Sequence, residues 1–212
     1  MPLEKDKASQ IFDAVVIGAG ISGMYQLYSL RKLGKSVKVL EAGSDVGGTW
    51  YWNRYPGASC DIESYVYLPL LEKTGFVPQQ KYTNASETLD YCNIIAEKYR
   101  LHERAMLQTL VTSTDWDEDL GRWMVSTNRQ DRIKARYVVH SNGPLNRPKL
   151  PAIRGINDFT GHTFHTSRWD YAYTGGNSNG NLNNLRDKKV AIIGTGATAV
   201  PVSYTHLRAH ET

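Results

Sequence analysis

A chain of 212 residues with 41% apolar residues can bury a core for one large domain or one and a half ordinary ones. Its formal charge of +4 is spread over 25 Lys and Arg against 21 Asp and Glu with no basic block, which argues against a nucleic-acid partner. Met1 to Gln10 is charged and precedes only a short apolar run, so neither a signal peptide nor a membrane span is expected, and Cys60 and Cys92 stand in no metal or redox spacing; a cytoplasmic protein with two reduced thiols and no metal site follows.

The first predicted strand is Ala14-Val15-Val16-Ile17, a continuous apolar run that suits a strand buried on both faces of a parallel sheet. Gly18-Ala19-Gly20-Ile21-Ser22-Gly23 follows at once. In such a turn Gly18 permits the tight bend, Gly20 lets backbone approach a pyrophosphate, and Gly23 lets a helix pack closely on the strand. Met24, Leu27 and Tyr28 recur at helical spacing and Gly34 is a C-terminal stop. Val37-Lys38-Val39-Leu40 is a second strand, with Glu41 at its end, about twenty residues past the glycines, where an acid accepts hydrogen bonds from a ribose diol. Gly18, Gly20, Ser22, Gly23 and Glu41 are therefore candidate contacts to a dinucleotide.

Gly47-Gly48-Thr49-Trp50-Tyr51-Trp52-Asn53-Arg54-Tyr55-Pro56-Gly57 has neither helical nor strand period and reads as a loop. Glycines let its backbone run against a flat ligand, making Gly48, Thr49 and Trp50 candidate contacts; Trp50 either covers such a ligand or sits in an aromatic minicore. Farther on, Phe159-Thr160-Gly161-His162-Thr163-Phe164-His165-Thr166-Ser167-Arg168-Trp169 has the spacing F-x-G-x-x-x-H-x-x-x-W.

The aromatic loop, its continuation Ser59-Cys60-Asp61-Ile62-Glu63-Ser64 and the 159–169 spacing together resemble Baeyer–Villiger monooxygenases, from about Phe12 to Val202. The resemblance implies bound FAD, reduced by NADPH, on which dioxygen is trapped as a flavin peroxide that adds to a ketone carbonyl and yields an ester or lactone. It also implies that Asp61 is the catalytic carboxylate on the flavin side, tuning an arginine absent from this chain; that Tyr67 touches the flavin; and that Val111, in a predicted strand Leu110-Val111-Thr112, meets the adenine. Arg132 to Val139 resembles the family's strand before the glycine crossing at Ser141-Asn142-Gly143-Pro144, with His140 and Asn142 as departures, and His140 is read as packed. Within the 159–169 segment Gly161 permits a tight backbone path and Trp169 is a buried anchor; His165 either bonds across a domain joint or is a satisfied buried histidine.

Tyr173 to Asn184 is rich in Gly, Asn and Ser and reads as a flexible connection at a domain boundary. Lys188 to Ile193 then repeats the first strand and leads into a second turn, Gly194-Thr195-Gly196-Ala197-Thr198-Ala199, whose Gly194, Thr195, Gly196, Ala197 and Thr198 are candidate NADP contacts. The last ten residues, 203–212, offer no helical apolar face and read as a non-native tail.

The expected architecture is thus α/β: an incomplete, doubly wound Rossmann-type FAD domain over residues 1–150, a linker over 151–185, and the start of an NADP-binding Rossmann domain over 186–202. The expected activity is an FAD- and NADPH-dependent oxidation of a small ketone by O2, with this chain alone inactive; the oligomeric state is left open. The alternatives are a flavin-containing or N-hydroxylating monooxygenase acting on nitrogen or sulfur, and a non-catalytic FAD-binding fragment.

Overall fold

The computed structural model describes residues 11–196 together with Thr198, Ala199 and Val202. The predicted tail at 203–212, residues 1–10 and Ala197 of the second turn lie outside the described residues. One six-stranded sheet organises the chain, in the order β3-β2-β1-β6-β5-β4. Its parallel half comprises β1 (Ile11–Ile17), β2 (Val37–Leu40), β3 (Ala105–Met106) and β6 (Arg132–His140). The other half is an antiparallel meander in which β4 (Val111–Asp117) pairs with β5 (Arg122–Thr127) and β5 with β6. The fold is α/β and Rossmann-like, as the first βαβ unit predicted; the meander is an addition that the sequence reading did not anticipate.

β1 lies at the centre of the parallel half because both of its faces are apolar. Ala14 and Val16 point into one core with Met24 and Leu27 of helix α1 (Ile21–Lys32), whereas Val15 joins Leu40, Val125 and Ala135 beneath the meander. Tyr28 is only half-buried and meets the Tyr99 ring at a tilt instead, with centroids 4.6 Å apart. Gly34 ends the helix with φ +72°, its N–H donating to the Arg31 carbonyl. The crossover from β2 to β3 carries three one-turn helices, α2 (Thr49–Trp52), α3 (Ser64–Tyr67) and α4 (Leu71–Thr74), and then α5 (Ala85–Lys98). Asn84 caps α5 by accepting the Glu87 N–H, and Thr88, Tyr91, Cys92 and Ile95 form its buried stripe.

Four expectations need correction. Residues 49–52 form a helical turn, because Gly48 takes φ +53° and lets the Trp52 N–H close on its carbonyl. His140 is exposed at the end of β6, since the strand's last residue emerges beyond the packed layer. The stretch from Tyr173 to Asn184 is not a free connection: α6 (Tyr171–Thr174) opens it, Asn177 and Gly180 exchange backbone hydrogen bonds, and Thr174, Leu182 and Leu185 are buried. Residues 188–193 have no strand partner among the described residues and remain irregular, leaving Val190 and Ile193 exposed. A parallel strand without a neighbour has no ladder to hold it.

Candidate functional site: the cleft at the glycine turn

At the carboxyl ends of β1, β2 and β6 a cleft of about 810 Å³ opens. In open α/β sheets this is where ligands bind. One wall is the glycine turn with the first residues of α1, Gly18, Gly20, Ile21 and Ser22. Gly20 caps α1 without a side-chain bond and no acid stands in the first turn, so the helix presents N–H groups and a positive dipole end to the cleft.

The opposite wall is Gly48, Thr49 and Trp50 of the aromatic segment. A Cβ placed on Gly20 would lie 3.4 Å from the Gly48 Cα, and one on Gly48 would lie 2.7 Å from the Gly20 Cα. Backbone thus packs on backbone where no side chain would fit, and the Gly47 N–H fixes the contact by donating to the Ala19 carbonyl at 3.0 Å. Beneath the turn, Gly18 runs against the Ser141 carbonyl, 2.5 Å from where its Cβ would stand.

Glu41 is buried and lines the cleft, but its geometry differs from that of a residue kept only for a ribose. One carboxylate oxygen accepts the Ala19 N–H at 2.6 Å and the other accepts the Gly43 N–H at 2.6 Å. The side chain closes the glycine turn onto β2. A carboxylate has about four lone-pair sites, so two backbone bonds leave acceptor capacity for a diol.

Trp50 resolves its two readings jointly: it packs with Tyr55, Ala58 and Cys60 in a small core and also lines the cleft. Its indole N–H donates to the Tyr67 hydroxyl at 2.9 Å, with the rings edge to face. Tyr67 lines the cleft, and burial pushes its hydroxyl above the ordinary tyrosine range. Val111 is also in the lining, at the start of β4.

Asp61 is exposed and is not among the residues lining the cleft. Gly161 carries the ring of Phe159 over its backbone. His165 bonds locally, Nδ1 accepting the Ser167 N–H at 3.1 Å, and Trp169 donates from its indole N–H to the Thr174 hydroxyl at 3.0 Å. Gly194, Thr195 and Gly196 are exposed and outside the cleft.

Sequence reasoning missed part of the lining: Thr109 before β4, Thr114 within it, and Leu145, Asn146 and Arg147 after the crossing. The Thr109 N–H donates to the Glu41 carbonyl at 2.7 Å. No local motif marks these residues; they enter because β4 begins and β6 ends at the cleft.

The donors at the start of α1, the cleft they face and its apolar flank of Ile17, Leu40 and Trp50 fit a dinucleotide carrying a flat ring system. Residues 16–90 match the NAD(P)-binding Rossmann-like domain family. Over 201 residues the chain is 50% identical to neopentalenolactone D synthase of Streptomyces avermitilis, covering 94% of this chain and 34% of that protein. Baeyer-Villiger monooxygenase 4 of Dietzia sp. is 48% identical over 202 residues, covering 95% of this chain and 33% of its own. Among solved structures, the polycyclic ketone monooxygenase of Thermothelomyces thermophila superposes with a TM-score of 0.86 at 37% identity, over 98% of this chain and 35% of that one. OTEMO in complex with FAD and NADP gives 0.82 at 36% identity, over 93% of this chain and 37% of that one. The chain therefore spans about a third of the length of the curated relatives it matches.

Proposed function

Because this chain belongs to the Baeyer–Villiger monooxygenase family, we propose that its cleft holds FAD and that the whole protein oxidises a small-molecule ketone to an ester or lactone with O2 and NADPH. The observation that carries this reading is the cleft that the glycine turn at the start of α1 shares with Glu41, Gly48, Trp50 and Tyr67. When bound, the flavin supplies the redox chemistry and the activation of oxygen.

The chain's own residues bind and orient. The amides at the start of α1 hold the pyrophosphate, Glu41 keeps the turn in shape and accepts from the ribose, and Thr109 and Val111 flank the adenosine end. Trp50, Trp52 and Tyr67 exclude water from the ring end. Asp61, the catalytic carboxylate the resemblance implies, would act from outside this lining, orienting a cation brought by another segment. The second glycine turn, Gly194 to Thr198, is proposed to meet NADP once residues 188–193 have a neighbouring strand. Residues 1–150 thus serve FAD, residues 151–185 link, and residues 186–202 begin the NADP unit. Among the described residues no helix is long and apolar enough to cross a membrane, and the two buried thiols suit the cytoplasm as the site of action.

The test is a chimera in which this chain replaces the corresponding part of the polycyclic ketone monooxygenase. The expected result is NADPH-dependent conversion of a cyclic ketone to a lactone. Rapid oxidation of amines or sulfides with no ester would overturn the reading in favour of a nitrogen- or sulfur-oxidising flavoenzyme.

A further inference from the structure

Three segments meet at the ring end of the cleft. Asn53, just past α2, donates from its side-chain amide to the Leu145 carbonyl at 3.0 Å. Arg168, inside the F-x-G-x-x-x-H-x-x-x-W segment, donates from its guanidinium to the next carbonyl, that of Asn146, at 3.0 Å. The same guanidinium lies over the Trp52 ring, 4.8 Å from its centroid, and a second of its nitrogens donates to the Ser167 carbonyl at 2.7 Å. Trp52, Leu145 and Asn146 all line the cleft, whereas Arg168 does not. Three residues on, the Tyr171 hydroxyl donates to the Arg54 carbonyl at 2.5 Å, a second attachment between the same two segments.

An arginine suits this place because its planar fork can stack on an indole and donate in two directions at once. Two successive carbonyls of the 145–146 backbone are thereby held from opposite sides, by the aromatic segment and by the 159–169 segment. Arg168 is the one of these contacts that joins the 159–169 segment to the 145–146 backbone directly, so its loss leaves that backbone held by Asn53 alone among them.

We propose that Arg168 is a positioning residue that couples the 159–169 segment to the cleft, so that a flavin nucleotide bound there tightens the segment and the segment's attachment tightens the nucleotide. This deepens the FAD reading above and rests on it for its second half. Linkage requires the two effects to be equal in size. The ADP end, where Gly18 to Ser22 and Glu41 lie, stays outside the coupling because among the described residues no hydrogen bond joins it to Trp52, Leu145 or Asn146.

The experiment compares the 212-residue chain with Arg168→Gln and Arg168→Lys. Without nucleotide, Arg168→Gln should speed chymotryptic cleavage after Phe164 and Trp169 several-fold, with the melting temperature held within about 2 °C because the side chain is on the surface. Equal cleavage rates overturn the clamp whether or not FAD binds. With nucleotide, Arg168→Gln should weaken FAD about ten-fold and leave ADP unaffected, with Arg168→Lys intermediate because it keeps a donor and loses the planar stack. Equal FAD affinity of wild type and Arg168→Gln, or a matching loss for ADP, overturns the coupling. Faster cleavage in a chain that binds neither FAD nor ADP would sustain the clamp and overturn the FAD reading instead.

Discussion

The Gly48 backbone faces Gly20 so closely that a Cβ on Gly48 would stand 2.7 Å from the Gly20 Cα, whereas a Cβ on Gly20 would meet the Gly48 Cα at 3.4 Å, an ordinary contact. The two glycines pack on each other at the edge of the cleft, yet substitution at each should act differently. Gly20→Ala is expected to leave the melting temperature near that of wild type and to abolish FAD binding by filling the path of the pyrophosphate. Gly48→Ala combines a backbone overlap with φ +53° and should destabilise the fold by about 1–3 kcal/mol as well as remove FAD. Thermal melts beside flavin titrations separate the two; equal losses of stability would show that both glycines serve the packing of the turn alone.

Glu41→Gln replaces one of two acceptor oxygens by an NH2 group that faces an N–H donor, either that of Ala19 or that of Gly43. Leaving a buried donor unsatisfied costs about 1–3 kcal/mol, so the denaturation midpoint should fall by a matching amount even without nucleotide. A variant as stable as wild type would confine Glu41 to ligand contact.

Both thiols are predicted to be inert in the folded chain. Burial pushes Cys92 up to about 12, and burial also raises Cys60, with the backbone N–H of Ile62 partly opposing it and the Asp61 charge adding to the rise. At pH 8 a disulfide reagent should label neither cysteine before denaturation and both after it. Rapid labelling of Cys60 in the native protein would show that its aromatic cover opens readily.

Acid should loosen the 159–174 region selectively. The Tyr173 amide is the main influence holding the Asp170 carboxyl below its ordinary range; slight burial opposes it, and the His162 hydrogen bond at 2.9 Å adds to it. A carboxyl lowered on folding contributes stability that is fully present above its unfolded pKa and is lost as pH falls through the folded value, here below about pH 4. Chymotryptic cleavage within 159–174 should therefore rise below that pH before the sheet unfolds, and Asp170→Asn should show the raised rate already at neutral pH. A pH-independent rate up to global unfolding would contradict this.

The parts legible in the sequence are those whose chemistry is local. β1, the glycine turn, α1, β2 and Glu41 follow from adjacent residues with the right period, and β2 has the predicted bounds Val37–Leu40. Trp50 and Tyr67, 17 residues apart, come together at the cleft through one hydrogen bond between side chains. The illegible parts depend on distant partners. Thr109 is placed by the Glu41 carbonyl, Asn146 is held by an arginine 22 residues later, and the ordered path of 173–184 is fixed by contacts such as that of the Gly57 N–H with the Ser178 carbonyl. Residues 188–193 show the converse: a strand-like sequence stays irregular among the described residues when no neighbour offers a ladder.

The most direct test of the flavin site is a titration of the purified 212-residue chain with FAD, followed by flavin fluorescence and visible circular dichroism, with Gly20→Ala in parallel. Saturable one-to-one binding with an induced flavin signal, lost in Gly20→Ala and undiminished in a variant of the exposed second turn such as Gly196→Ala, is the predicted result. No binding by the wild-type chain, or binding that Gly20→Ala leaves intact, would contradict the assignment of this cleft to FAD.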